Sequence, residues 1–366
     1  MPSWRALAGR LRAKYLWVSV EQDGDGVPNR LMLSWWAYDQ NDPRRTPRGA
    51  VTAWERASTL DRMKVTLLAG GTGGTKLAHG FALLGPRVEL TVIANVGDDA
   101  EIHGLHVSPD VDALLYTLAG LVDADRGWGI RGDTFTAHAM LERYGEPAWF
   151  TVGDADLATH VERTRRLREG ASLTNATAGM AAALGITARI LPATDDRLRT
   201  RLETDEGLLD FQDYFVRRRQ EPEVRGIVLD GIEVARPTAA VLEAIGGADL
   251  VVIGPSNPLV SIGPILALAG VRSALASSTA GRVAVSPIIA GRALKGPADR
   301  MLASLGHDAT AVGVARMYTG IVDRFVIDEV DAGLRPEIEG VGMGVDVRPT
   351  IMRDDAGRSA LAAALL

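Results

Sequence analysis

Met63-Lys-Val-Thr-Leu-Leu-Ala-Gly-Gly-Thr-Gly-Gly-Thr-Lys76 decides how the chain is read. Its first half is apolar and β-prone. Glycines 70, 71, 73 and 74 follow, and a helical pattern runs on over 77–84. A strand that ends in glycines and feeds a helix presents bare backbone N–H groups at a positive dipole end, where phosphates bind. Neither familiar phosphate fingerprint is complete. The spacing before Lys76 lacks the glycine of a Walker A loop, and Lys76 stands where a dinucleotide fingerprint has its third glycine. Alone, the stretch reads equally as a phosphate cradle or as a glycine-rich strand-to-helix turn.

Outward from this stretch, short apolar runs alternate with helical patterns. Strands are expected over 64–69, 90–95, 186–192, 227–229, 250–254, 283–286 and 325–328. Helices are expected over 75–84, 110–120, 134–144, 157–169, 175–184, 238–245, 262–268 and 298–305. That alternation implies an α/β fold: a doubly wound, mostly parallel (Rossmann-like) sheet with helices on both faces. Asp249-Leu-Val-Val-Ile-Gly254 is continuously apolar, as a strand covered on both faces should be. Residues 187–235 are charged and strand-prone and read as a small inserted subregion. In such sheets ligands sit beyond the carboxyl ends of the strands.

Composition narrows the function classes. The net charge of −6 argues against general nucleic-acid binding, and no apolar run is long enough for a membrane span. Cysteine is absent, which removes thiolate and disulfide chemistry and suits a cytoplasmic protein. Residues 1–62 differ from the rest. They hold Trp4, Trp17, Trp35, Trp36 and Trp54, five of the seven tryptophans, and show no sustained strand or helix period. Ten basic against seven acidic residues give them +3, leaving −9 for 63–366. They are expected to be an N-terminal extension, either poorly ordered or upstream of a mis-assigned start, with a Trp-rich docking element as the alternative. Residues 63–366 are expected to form the functional domain.

Several loops could carry chemistry. Asn95-Val-Gly-Asp-Asp99 leads through Glu101, His103 and His106 to Ser108-Pro-Asp-Val-Asp112. So many carboxylates repel unless solvent or a cation intervenes, and Mg²⁺ is often held by one or two carboxylates plus substrate phosphates. A solvated acidic loop is the plain alternative, with Ser108 as N-cap and Pro109 at the first helical position. Gly254-Pro-Ser-Asn-Pro258 offers Ser256 and Asn257 at a strand's carboxyl end, or is simply a rigid turn. Lys295 precedes a helix start.

In this order the motifs resemble one family. Gly70-Gly-Thr-Gly-Gly74 with Lys76, Asn95–Asp99, Ser108–Asp112, Trp128-Gly129 with Gly132-Asp133, and Gly153–Asp156 through His160 form the first part. Gly170–Thr174, Phe211–Phe215, Gly254–Pro258, Ala284–Ile289 and Lys295–Ala298 form the second. Residues 63–330 are similar to the 2-phospho-L-lactate transferase family of coenzyme F-420 biosynthesis, with its phosphoenolpyruvate-using bacterial members. Residues 1–62 fall outside the resemblance, and the tail after about residue 330 matches weakly.

The resemblance implies a Mg²⁺-dependent transferase with small-molecule partners. A guanosine diphospho-linked donor carrying lactate or enolpyruvate would pass its substituted phosphate to the ribityl hydroxyl of a hydroxy-deazaflavin, releasing GMP. It also implies a homodimer. Gly71, Thr72, Gly73, Gly74 and Lys76 would hold donor phosphate, with Ser256 and Asn257 on the guanosine diphosphate half. Asp99 and Asp110 would hold Mg²⁺. Asp112, Thr151 and Trp128 would hold the deazaflavin, and Asp112 or His106 would act as the base. The alternative is a nucleotide-sugar-binding regulator of the same superfamily, which binds without transfer.

Overall fold

The apolar run after Met63 forms a strand buried from its third residue onward, because both faces of the sheet are covered. The computed structural model describes residues 16–22, 28–35 and 62–366. The chain divides into two units, Met1–Leu60 and Asp61–Leu366. In the first, β1 (Leu16–Gln22) and β2 (Pro28–Trp35) pair antiparallel, although the sequence shows no sustained strand period there. The expected extension or mis-assigned start otherwise lies outside the described residues.

The second unit opens with β3 (Met63–Ala69), α1 (Gly71–Leu83), β4 (Val88–Ala94) and the hairpin β5 (Ala100–Ile102) and β6 (Leu105–Val107). Next come α2 (Pro109–Leu118), α3 (Thr136–Arg143), α4 (Asp154–Arg168), α5 (Leu173–Ala183) and β7 (Arg189–Pro192). Strands β8 (Arg199–Thr204), β9 (Gly207–Asp210) and β10 (Val224–Asp230) form a separate antiparallel sheet. The chain continues through α6 (Ala239–Gly246), β11 (Leu250–Ile253), α7 (Gly263–Ala267), α8 (Val271–Ser277) and β12 (Gly281–Val285). A small hairpin of β13 (Ile288–Ile289) and β14 (Arg292–Ala293) leads to α9 (Ala298–Ser304) and α10 (Ala311–Met317). It ends with β15 (Arg324–Ile327), α11 (Arg335–Gly340), β16 (Gly344–Val347) and α12 (Asp355–Leu365).

Seven strands form the central sheet in the order β16-β15-β12-β11-β3-β4-β7, and every pairing is parallel. The order reverses between β3 and β11, so connections leave these neighbours in opposite directions and open a crevice at their carboxyl ends. The wound α/β fold expected from the sequence is therefore present. Two details differ. The strand expected over 227–229 belongs to β10, in which only Val224 is buried. The seventh parallel strand is β16, an edge strand whose Gly-Val-Asp-Val sequence has only Val345 buried and so carries no apolar run.

Candidate functional site

Helix α1 begins at Gly71, not at Thr75 as expected, so most of the glycine run is already helix. Gly71 has φ +62°, a left-handed conformation that glycine adopts without a Cβ penalty. The helix also lies close to the loop after β11. A Cβ on Gly73 would sit 2.0 Å from the Pro255 carbonyl oxygen, and one on Gly74 would sit 2.7 Å from Ser256 Oγ. These two glycines serve helix-to-loop packing as much as any ligand. Gly70 N–H donates to Ser256 Oγ at 3.3 Å, and Gly71 N–H donates to Asp110 Oδ1 at 2.6 Å. That leaves the first-turn N–H groups of Thr72 and Gly73 without a partner inside the helix.

Asp110 reaches α1 because Pro109 starts α2 and sets Asp110 in its first turn. Asn95, just past β4, donates from Nδ2 to Asp110 Oδ2 at 2.9 Å and accepts from Gly97 N–H at 2.9 Å. The loop therefore folds back over the helix start. Burial raises the Asp110 carboxyl from 3.8 to about 6, with Asp99 adding to the rise and the Asn95 and Gly71 donors opposing it. Burial likewise raises Asp98 well above the ordinary range, reinforced by Asp110 and Asp99. Asp98 Oδ1 is buried and has no hydrogen-bond partner. A cation or a proton would relieve this arrangement.

Asp99 is differently placed. Its Oδ1 accepts from Ser108 Oγ at 2.6 Å, and its Oδ2 lies 2.9 Å from His106 Nε2. Both oxygens of Asp110 likewise accept hydrogen bonds, so of Asp98, Asp99 and Asp110 only Asp98 keeps a buried oxygen without a partner. No group of three or more His, Cys, Asp or Glu side chains among the described residues forms a ready cation cage. Two carboxylates completed by phosphate oxygens would suit Mg²⁺. Asp99 thus holds the His106 ring through Nε2 and leaves Nδ1 on the other side of the ring.

Asp112 is paired with a cation. It is buried and gripped by the fully buried Arg163, whose Nη2 donates to Oδ1 and whose Nη1 donates to Oδ2 at 3.2 Å. Arg163 Nη1 also reaches the His106 carbonyl at 3.2 Å. Burial pulls the Arg163 value down, but the Asp112 charge and hydrogen bonds more than offset it and hold the group above its ordinary range. Beyond it, His160 Nδ1 lies 3.6 Å from Asp112 Oδ2 and His160 Nε2 lies 3.4 Å from Asp156. Tyr116 donates to Asp156 at 2.5 Å, and burial raises its hydroxyl, with Asp112 and Asp156 adding to the effect. Asp112 is thus an anchor between α2 and α4, and its expected role as base or deazaflavin contact would have to be played from within this ion pair. Its partner Arg163 lies 51 residues away in sequence.

Other expected residues fall in different places. Ser256 touches the α1 start, as above. Asn257 Oδ1 accepts from Leu259 N–H at 2.9 Å and from Val260 N–H at 3.4 Å, so its carbonyl is committed to its own turn. Lys76 lies in the second turn of α1, half-buried. Trp128 is 44% exposed, with the Arg126 guanidinium 5.2 Å from its ring centroid. Thr151 is exposed on the segment before α4. The Asp133 and Asp154 motifs have a structural role. Asp133 accepts from Ala155 and Asp156 N–H at the start of α4, and Asp154 accepts from Thr136 and Ala137 N–H at the start of α3. A separate cleft of about 290 Å³, lined by Met63, Leu250, Val283 and Leu366, opens at the amino ends of the strands, opposite the site.

Comparisons with known proteins bear on the family and the fold. Residues 65–338 match the family described as 2-phospho-L-lactate transferase CofD. The chain is 42% identical over 306 residues to a phosphoenolpyruvate transferase of Streptomyces griseus subsp. griseus, covering 82% of this chain and 96% of that protein. It is 39% identical over 286 residues to a 2-phospho-L-lactate transferase of Methanosarcina mazei, covering 78% of this chain and 94% of that one. A crystal structure of a UPF0052-family protein from Bacillus halodurans shares the fold, with a TM-score of 0.57, 18% identity, and coverage of 84% of this chain and 99% of that one. The chain belongs to the 2-phospho-L-lactate transferase CofD family.

Proposed function

We propose that this protein transfers a phospholactyl or phosphoenolpyruvyl group from a guanosine diphospho-linked donor to 7,8-didemethyl-8-hydroxy-5-deazariboflavin in coenzyme F-420 biosynthesis. The ribityl oxygen forms a bond to the phosphorus that carries the acid. The anhydride bond to guanylate breaks, and GMP leaves with the electron pair. The observation that carries this reading is the meeting of Asp98 and Asp110 with the α1 amino end at the sheet's switch point. The names of the similar transferases support the substrate class.

Transfer through a loose transition state requires positioning and charge neutralisation more than covalent chemistry. The N–H groups of Thr72 and Gly73 would hold phosphate oxygens, aided by the helix dipole. Asp110 and Asp98 would hold Mg²⁺, which when bound neutralises charge on the diphosphate. His106 Nδ1 would take the ribityl proton, with Asp99 fixing the ring. The exposed Trp128 ring and Thr151 would contact the deazaflavin. A cytoplasmic homodimer belongs to the same reading, and light scattering checks the dimer.

The test is to incubate the protein with the deazaflavin, Mg²⁺ and each guanylylated donor, then weigh the products. A mass gain equal to the phospholactyl or phosphoenolpyruvyl group, with GMP released, is expected. Tight nucleotide binding with no product would instead favour the regulatory alternative.

A further inference from the structure

Phe211-Gln-Asp-Tyr-Phe215 follows β9 within the inserted antiparallel subregion. Its aromatic residues build a small core of their own. Phe211 and Phe215 stack with ring centroids 5.4 Å apart, and Phe211 and Tyr214 pack with Leu202, Val224, Val260 and Met301. Val260 belongs to the loop after β11, and its carbonyl oxygen accepts from Asn95 Nδ2 at 3.4 Å. The polar member of the motif reaches the loop after β4. Gln212, almost fully buried, donates from Nε2 to the Asp98 carbonyl oxygen at 2.8 Å, across 114 residues of sequence. One residue earlier, the Gly97 carbonyl oxygen accepts from Thr200 N–H of β8 at 2.7 Å. Thr200 packs so closely there that a Cβ on Gly97 would stand 2.5 Å from its Oγ1.

These two bonds hold the peptide planes on either side of the Asp98 α-carbon. Peptide planes are rigid, so holding both fixes φ and ψ of Asp98 and the direction in which its side chain leaves the backbone. From the other side, Asn95 joins the Gly97 N–H to Asp110, which accepts in turn from Gly71 at the start of α1. The carboxylate with a buried, unpartnered Oδ1 is therefore aimed by the insert as well as by its own loop. We infer that Gln212 is a positioning residue for the cation: through the Asp98 peptide it holds that carboxylate in place for Mg²⁺. This rests on the cation site of the transferase reading and deepens it. Groups that orient a metal's ligands without touching the metal govern its affinity strongly.

The experiment compares wild type with Gln212→Met, which keeps the side chain's length and removes the donor, and with Val224→Ala, which loosens the same small core but keeps Gln212. Mg²⁺ is titrated calorimetrically into each protein with GDP present as the diphosphate, and transfer is followed against Mg²⁺ concentration. Gln212→Met should weaken Mg²⁺ binding about tenfold and raise the half-saturating Mg²⁺ for transfer by the same factor. Its kcat should largely recover at saturating Mg²⁺. Val224→Ala should lower Tm and bind Mg²⁺ as wild type does. Equal weakening in both variants would reduce Gln212 to a structural contact and overturn the inference. An unchanged Mg²⁺ affinity in Gln212→Met overturns the positioning role alone if product still forms. A wild-type protein that takes up no Mg²⁺ overturns it together with the cation site. Gln212-dependent Mg²⁺ binding by a protein that forms no product keeps the positioning role and removes the transferase reading. Circular dichroism checks the folding of each variant; if Gln212→Met does not fold, Gln212→Asn, whose amide falls short of the Asp98 carbonyl, should show the same weakening.

Discussion

Asp112 and Asp110 sit two residues apart in the first turn of α2, yet their environments divide their roles. Asp112 is matched to Arg163, and removing one partner of a buried pair leaves the other charge uncompensated. Asp112→Asn should therefore destabilise the protein by about 3 kcal/mol, read from urea or thermal denaturation. Wild-type stability in that variant would mean Arg163 finds another counter-ion. Asp110 has no cationic partner. Its folded value of about 6 lies above the ordinary 3.8, so the folded protein holds an extra proton between these values and this group's contribution to stability falls as pH rises through them. A divalent cation competes with that proton. Mg²⁺ should accordingly raise Tm at pH 7.5 and do so far less at pH 5. An equal gain at both values would remove Asp110 from the cation site.

At the scale of elements, the contact between α1 and the loop after β11 decides whether the site forms. Gly73 meets the Pro255 carbonyl so closely that any Cβ must push backbone away. Gly73→Ala should cost about 1–3 kcal/mol and lower transfer, checked by the urea midpoint and by turnover. Unchanged values of both would show that the loop yields easily. Two turns further along α1, α12 packs against Gly80, and its Leu361 and Leu365 are buried. Leu361→Ala should cost about 2–5 kcal/mol in denaturant unfolding, although this helix lies beyond the family match that ends at residue 338. A cost well under that range would mean α12 is a loose appendage.

Over the whole molecule, the division after residue 60 suggests that catalysis needs only the second unit. The similarity points the same way, since 82% of this chain suffices to cover 96% of the Streptomyces griseus relative. A chain beginning at Met63 should keep its fold and its transfer activity, measured by the same product assay. Loss of activity with the fold retained would assign the N-terminal unit a working role. Across the second unit, the wound sheet was legible in the sequence because apolar period and glycine punctuation act over a few residues. Strand β16 and the placement of β10 were not, since an edge strand and an antiparallel insert are chosen by their neighbours rather than by their own hydrophobicity.

By itself the sequence determined where strands give way to helices, that a glycine run stands at one such junction, and which family the ordered motifs resemble. Only the tertiary structure decided which carboxylates remain unmatched. Asp98, Asp99, Asp110 and Asp112 are chemically alike along the chain. Arg163 on α4 neutralises one, Ser108 and His106 engage another, and burial raises the proton affinity of the remaining two. Charge state depends on burial and on partners brought in from distant sequence, and the local pattern of residues carries neither.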